Sequence, residues 1–208
     1  PRPGHADLVG ALKYGFDDMR NVLERSSARE TTSRVAVGGF CRLLLRELGI
    51  QIYSHVVSIK DIRISNEQLE KVSSDLIPKI ESSEMRCSDP SLDEAMKKAV
   101  DEAIEKGETI GGTFEVRATG VPPGLGSYVH WDRKLDGRLA QAMMSINAIK
   151  GVDVGSGLES DPYGSQFHDE IFYNEKDRQF FRKTNRAGGI EGGTSNGEEI
   201  IVRGIVKP

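Results

Sequence analysis

Thr113 to Thr119 reads T-F-E-V-R-A-T. In an extended chain Phe114, Val116 and Ala118 fall on one side and Glu115 and Arg117 on the other, because successive side chains of a strand point to opposite faces. The alternation predicts a strand with one apolar, core-facing side and one solvated side. Upstream, Ser88-Asp89-Pro90 opens a helix with proline at its first position. Leu92, Ala95, Met96, Ala99, Val100, Ala103 and Ile104 follow at helical spacing, and Gly107 ends it. Downstream, Val121 to Gly126 is a Pro/Gly loop, and Leu135, Leu139, Ala142, Met143 and Ile146 mark a major helix from near Asp132 to Gly151. Further strands are expected at Ile50–Ile59, Val152–Val154, His168–Tyr173 and Glu198–Val206, with a short helix capped by Asn66 that runs through Leu69, Val72 and Leu76 and is limited by Pro78, and loop from Gly155 to Gly164. Strands and helices in this order lack the regular alternation of a doubly wound sheet. The expectation is an α+β fold, mainly antiparallel, forming a single domain over residues 1–208.

Nearer the start, Arg25 to Glu30 reads R-S-S-A-R-E. Ser27 and Glu30 have the spacing of a capping box. The helix they open runs through an apolar stripe of Val37, Cys41, Leu44 and Leu48 and stops at Gly49. Arg25 and Arg29 are four residues apart, beside two hydroxyls and the free N–H groups of a first turn. Two readings stay open here. One is an anion site at a helix N-terminus; the other is a solvated first turn with ordinary arginines.

The chain of 208 residues carries a formal net charge of -4, which argues against a dedicated nucleic-acid binder. Residues 1–46 hold eight Lys/Arg against five Asp/Glu, so the rest carries the acidic excess. A small anionic ligand suits that imbalance better than a polyanion. The two cysteines lack metal spacing and point to a reducing cytoplasm, with Cys41 on the apolar stripe expected buried and Cys87 in a polar loop. No stretch has membrane-spanning length and none reads as a signal peptide. The chain begins with Pro1 and ends on a strand-like pattern at Lys207-Pro208, as a segment of a longer protein would.

Four histidines are present. His55 and His130 read as packing or capping residues, and His168 has no partner at zinc spacing, so no metal site is expected. Gly193-Thr194-Ser195-Asn196-Gly197 matches the G-x-S-x-G elbow of hydrolases. It is rejected because a Gly-rich loop precedes it and a strand follows, whereas the elbow needs strand then helix. Asn196-Gly197 reads instead as a hairpin turn.

Several motifs in order carry a resemblance. Arg2 to Asp7 reads R-P-G-H-A-D, followed by Lys13-Tyr14-Gly15 and the R-S-S-A-R-E-T run. Gly126-Ser127, Met144 to Ala148 (M-S-I-N-A), Lys150-Gly151, Asn185 to Gly193 (N-R-A-G-G-I-E-G-G) and Lys207-Pro208 follow. Across essentially the whole chain the sequence resembles chorismate synthase. That family's active site also draws on a histidine motif before this start and on motifs after this end.

The resemblance implies a sandwich of helices between antiparallel sheets and a homotetramer in the cytoplasm, with no nucleic-acid or membrane partner. It implies a lyase reaction, the 1,4-anti elimination of phosphate from 5-enolpyruvylshikimate 3-phosphate. Reduced FMN is required without net redox change, and whether NADPH or an external reductant supplies it is left open. It implies that His5 is a catalytic acid acting on the flavin and that Arg2 and Arg29 bind substrate. Arg25, Ser26, Ser27, Asn147, Ala148, Gly192, Lys207 and Pro208 match its FMN contacts. The alternative is a segment that folds and binds anions or flavin without catalysis.

Overall fold

A computed structural model describes residues 1–157 and 163–208. The chain folds into two compact units, Pro1–Leu44 and Leu45–Pro208.

The first unit is helical: α1 (Asp7–Tyr14), α2 (Arg20–Ser26) and most of α3 (Thr31–Glu47), with a 3₁₀ turn at Ala28–Glu30 leading into α3. Gly15 closes α1 at φ 65, the left-handed stop that glycine adopts without penalty. Gly10 lies against Val22, where a Cβ would stand 2.5 Å from a Val22 methyl carbon, so α1 and α2 pack closely there. The expected stripe on α3 faces outward. Val37 is 63%, Leu44 65% and Leu48 67% exposed, and Cys41 is exposed as well. Periodicity identifies a face, and none of the described elements covers this one.

The second unit is built on a five-stranded antiparallel sheet in the order β2-β1-β3-β9-β4. The strands are β1 (Gln51–Ile59), β2 (Ile62–Arg63), β3 (Gly112–Thr119), β4 (Ile149–Val154) and β9 (Ile200–Val206). The last strand in sequence is thus an inner one, which explains its run of buried residues. Helix α7 (Leu135–Met144) covers one face through Leu135, Leu139 and Met143, packed on Ile50, Val121, Ile190, Ile200 and Val202. Helices α4 (Asn66–Glu70), α5 (Ile77–Ser82) and α6 (Pro90–Glu105) contribute Leu69, Ile80 and Met96 to the cores against Tyr53 and Val57. Asp89 caps α6, accepting from Ser91 N at 2.9 Å, with Pro90 first in the helix as expected. Helix α8 (Gly164–Phe167) and two small hairpins complete the unit, β5 (Ile171–Asn174) with β6 (Gln179–Arg182) and β7 (Ile190–Glu191) with β8 (Thr194–Ser195). The α+β, antiparallel reading holds.

Several local expectations need correction. Ser65, not Asn66, caps α4, in a capping box with Gln68. Pro78 sits in the first turn of α5, where its missing N–H costs nothing, so it starts a helix instead of ending one. The strand expected from Val152 begins at Ile149, and that from His168 begins at Ile171. Of the loop expected at 155–164, residues 158–162 lie outside the described residues. Cys87 is fully buried among Val57, Ile64 and Met96, because the chain after α5 runs beside β1 and turns its thiol inward. Burial raises that thiol's pKa. The reversal expected at Asn196-Gly197 occurs at Gly192-Gly193, between β7 and β8; both have positive φ, 58 and 86, as a two-residue type I′ turn requires.

Glu115 and Arg117 do not face solvent. Both are buried, on the sheet face opposite α7, and both belong to polar rows running across the strands. His55 of β1 pairs in register with Glu115 of β3, Glu115 with Arg203 of β9, and Arg203 with Asp153 of β4. The adjacent row sets Tyr53 beside Arg117. Glu115 is tolerated here because its cross-strand neighbour Arg203 is its counter-charge, and Arg117 because Glu115 on its own strand and Glu199 accept from it.

Candidate active site

Arg2-Pro3-Gly4-His5 forms a turn closed by His5 N–H donating to Arg2 O at 3.3 Å. Proline in second position and Gly4 at φ 72 in third give it type II geometry. His5 is thereby held at the turn's end, exposed, with Nδ1 2.9 Å from Pro3 O. A carbonyl only accepts, so Nδ1 carries the hydrogen in this contact and Nε2 is the ring nitrogen left uncommitted by it. Arg2 anchors the same turn. Its Nε and Nη2 donate to the two oxygens of Asp7 at 3.0 and 3.1 Å, and its backbone N–H donates to Oδ2 at 2.9 Å. The Arg2 guanidinium and backbone hydrogen bonds hold the Asp7 carboxyl well below the usual carboxylate range. Nη1 of Arg2 makes no hydrogen bond among the described residues.

Ser27 is extended (φ -60, ψ 139), a break between α2 and the 3₁₀ turn. Its hydroxyl accepts from Arg29 N at 3.2 Å, while Glu30 N bonds the Ser27 carbonyl at 3.1 Å. The tight turn puts Arg29 N, not Glu30 N, under the hydroxyl. Glu30 turns forward to Arg34 Nε at 2.9 Å, so the reciprocal half of the capping box is not made. Arg25 lies in the last turn of α2, where a cation suits the helix dipole, and not in the first turn of α3. The dipole argument for an anion at Arg25 therefore falls. A different one replaces it. Arg25 and Arg29 flank the Ser27 break, both exposed and with no ion pair among the described residues.

In the second unit Ala148 stands at φ 70, in the left-handed region that a Cβ disfavours, just beyond the end of α7. Its carbonyl accepts from Lys207 N at 3.0 Å, which brings Asn147-Ala148 and Lys207-Pro208 to one corner. Gly192 tops the β7–β8 turn and a Cβ there would meet nothing within 4 Å, leaving the backbone open to approach. The neighbouring Gly193 carbonyl accepts from Leu135 N at 2.8 Å and Ser127 N at 3.2 Å, fixing the turn at the start of α7. Gly192 and Ala148 thus stand near opposite ends of that helix, roughly 15 Å apart at 1.5 Å per residue. His5, Arg2, Arg25, Ser26, Ser27 and Arg29 lie in the first unit; Asn147, Ala148, Gly192, Lys207 and Pro208 lie in the second.

The Gly-rich segment before β7 is held by side chains that sequence reading missed. Asp169 accepts from Thr184 Oγ1 at 2.5 Å and from Arg186 N and Ala187 N, both at 2.9 Å. Asn185 donates to Glu199 O at 2.7 Å and accepts from Gly189 N at 2.8 Å. Ser195, the rejected nucleophile, is buried; its hydroxyl donates to Pro122 O at 2.7 Å and accepts from Leu125 N at 2.8 Å. The buried charge row was missed too. Its readable signal was complementarity: one arginine in I-I-V-R-G-I-V against one glutamate in T-F-E-V-R-A-T. Among the described residues no cluster of His, Cys, Asp and Glu is arranged to hold a metal, and no helix is long and apolar enough to cross a membrane. A phosphate-bearing flavin needs cations, hydroxyls and backbone open to close approach. Arg25, Ser27 and Gly192 fit those needs in kind.

A family model described as chorismate synthase matches residues 1–208. The chorismate synthase of Sulfurihydrogenibium sp. (strain YO3AOP1) is 57% identical, with all of this chain and 54% of that protein aligned. That of Alkaliphilus metalliredigens (strain QYMF) is 54% identical over the same shares. A crystal structure of chorismate synthase superimposes with a TM-score of 0.88 at 51% identity, covering 98% of this chain and 62% of the other. The chain spans about half the length of the curated relatives it matches.

Proposed function

This chain belongs to the chorismate synthase family, and from that premise we propose that the full-length protein eliminates phosphate from 5-enolpyruvylshikimate 3-phosphate, giving chorismate. The C–O bond to phosphate breaks, a C–H proton is lost, and a C=C bond forms, so the reaction is redox-neutral overall. Reduced FMN, if held by the residues named below, would lend electron density to the reacting centre with no net redox change. The observation that carries the reading is the first unit's exposed cationic break. Arg25 and Arg29 flank Ser27 without carboxylate partners among the described residues, and His5 ends its type II turn with Nε2 left uncommitted.

In this reading Arg25, Ser26 and Ser27 bind FMN, together with Asn147, Ala148, Gly192, Lys207 and Pro208. Arg29, and Arg2 through Nη1, bind the substrate's anionic groups, for which a guanidinium fork is suited. Asp7 keeps the Arg2 backbone and His5 turn in place. His5 holds a proton at Nε2 and delivers it towards the flavin, its other nitrogen being committed to Pro3 O. The units together make one domain of a cytoplasmic homotetramer, and NADPH is the candidate reductant.

The deciding experiment uses the full-length protein with FMN reduced in advance under anaerobic conditions. Chorismate should accumulate over many turnovers with no stoichiometric consumption of NADPH. Hydride consumed one-for-one with product would make the protein an ordinary flavin oxidoreductase. FMN bound without chorismate formation would leave only an anion- and flavin-binding role.

A further inference from the structure

The second unit contains a cavity of about 630 Å³ on the sheet face opposite α7, within the usual range for small-molecule sites. Its wall includes Arg117 and Arg203 of the buried rows, Lys71 beyond α4, and Arg182, Lys183 and Arg186 after β5. Against these six cations stand three lining carboxylates, Glu70, Glu198 and Glu199.

Much of that charge is already matched. Arg203 donates to Glu115 at 2.6 Å, Arg117 reaches Glu115 and Glu199, and Arg182 forks onto Glu191 at 2.8 and 2.9 Å. Lys71 holds Glu67 at 2.6 Å, but both are largely exposed, so that pair is weak and easily exchanged. Lys183 and Arg186 differ. Neither has an ion pair among the described residues; Lys183 sits 4.3 Å from the centre of the Phe172 ring. The nearby Asp169 carboxylate is occupied by Thr184 Oγ1 and two backbone N–H groups, which fix the backbone that carries Arg186. Arg117 is equally immobile, donating to Val72 O at 2.8 Å and Leu69 O at 2.9 Å besides its carboxylates.

We propose that this cavity binds a small phosphate-bearing anion, with Arg186 and Lys183 as its principal cations and the rigid Arg117 as its floor. Three features favour that class. Arg117 on β3 and the Lys183–Arg186 segment come from separate parts of the chain and so reach an anion from two sides. Two of the cations make no ion pair among the described residues, although Arg186 feels the charge of the nearby Asp169. Ser156 in the lining adds a hydroxyl of the kind that bonds phosphate oxygens. Glu70 and Glu198 set a limit on negative charge and favour a ligand that contacts the Lys183–Arg186 side.

The test is calorimetric titration of the full-length protein with inorganic pyrophosphate at fixed ionic strength. Lys183→Ala/Arg186→Ala should weaken one saturable site at least about tenfold, as loss of charge-assisted hydrogen bonds predicts. Arg186→Lys should restore part of it, and Arg29→Ala should leave it in place. Circular dichroism of the double variant checks that the fold is kept. A double-variant isotherm superimposable on the wild type would overturn the proposal. So would loss of all saturable binding in Arg29→Ala, since the first unit's cations would then account for it.

Discussion

Glu115 offers the sharpest test of how the sheet is held. It is 0% exposed and accepts from His55 Nε2 at 3.2 Å, Arg117 Nε at 2.5 Å and Arg203 Nε at 2.6 Å. Burial alone would raise its pKa. The His55 hydrogen bond and the charges of Arg117 and Arg203 outweigh burial and bring it down to about 2. Against 4.5 for an ordinary glutamate, that gap corresponds to roughly 3 kcal/mol at about 1.4 kcal/mol per pH unit. The native pKa is the lower one. The stabilisation is therefore complete above pH 4.5 and is lost as pH falls towards 2. Glu115→Gln keeps the shape but removes the charge that His55, Arg117 and Arg203 share, although Arg117 still has Glu199. Breaking a buried pair from one side costs about 3–5 kcal/mol, and Glu199 favours the lower end. Hydrogen exchange of the β3 and β9 amides at neutral pH should then quicken by roughly two decades. The wild type should lose protection between pH 4.5 and 2, and the variant should lack that component. Exchange in Glu115→Gln within about threefold of wild type would refute the reasoning.

In the full-length protein, His5→Ala should leave FMN affinity nearly intact and slow turnover by about 10² to 10⁴, measured as chorismate formed under single-turnover conditions; wild-type rates would remove His5 from the mechanism. Arg29→Ala should weaken substrate binding by roughly 1.5–3 kcal/mol with little change for FMN, and Arg29→Lys should recover only part, since an ammonium cannot fork. Equal losses for both ligands, read by titration, would move Arg29 to the flavin side. Gly193→Ala should lower the unfolding midpoint more than Gly192→Ala. Both need positive φ, but a Cβ at 193 would lie 2.6 Å from Lys134 Cγ and 2.9 Å from Ser127 O, and one at 192 meets nothing. The 192 change should cost about 1–2 kcal/mol from backbone strain alone. Equal midpoints would mean that the turn shifts freely against α7.

Family membership, the antiparallel α+β class and the start and stop of most helices were legible because they are local or ordered along the chain. Asp89-Pro90 caps α6 and Gly49 turns left-handed beyond α3 by rules that involve only near neighbours. The alternation of T-F-E-V-R-A-T likewise settles that residues 113–119 are extended and which side chains share a face. It does not settle what covers each face. Glu115 is buried because His55, 60 positions before it, and Arg203, 88 after it, arrive beside it with complementary groups. The same reasoning separates the cysteines. Cys41 sits on a helical stripe that the described elements leave exposed, and Cys87 sits among polar neighbours yet points into a core closed by β1 and α6. The turn at Gly192-Gly193 prevailed over Asn196-Gly197 because Gly193 O must meet the N-terminus of α7. Secondary structure follows from periodicity and capping within a few residues. Burial, counter-charge and turn position depend on contacts between distant segments, and only the tertiary structure brings those together.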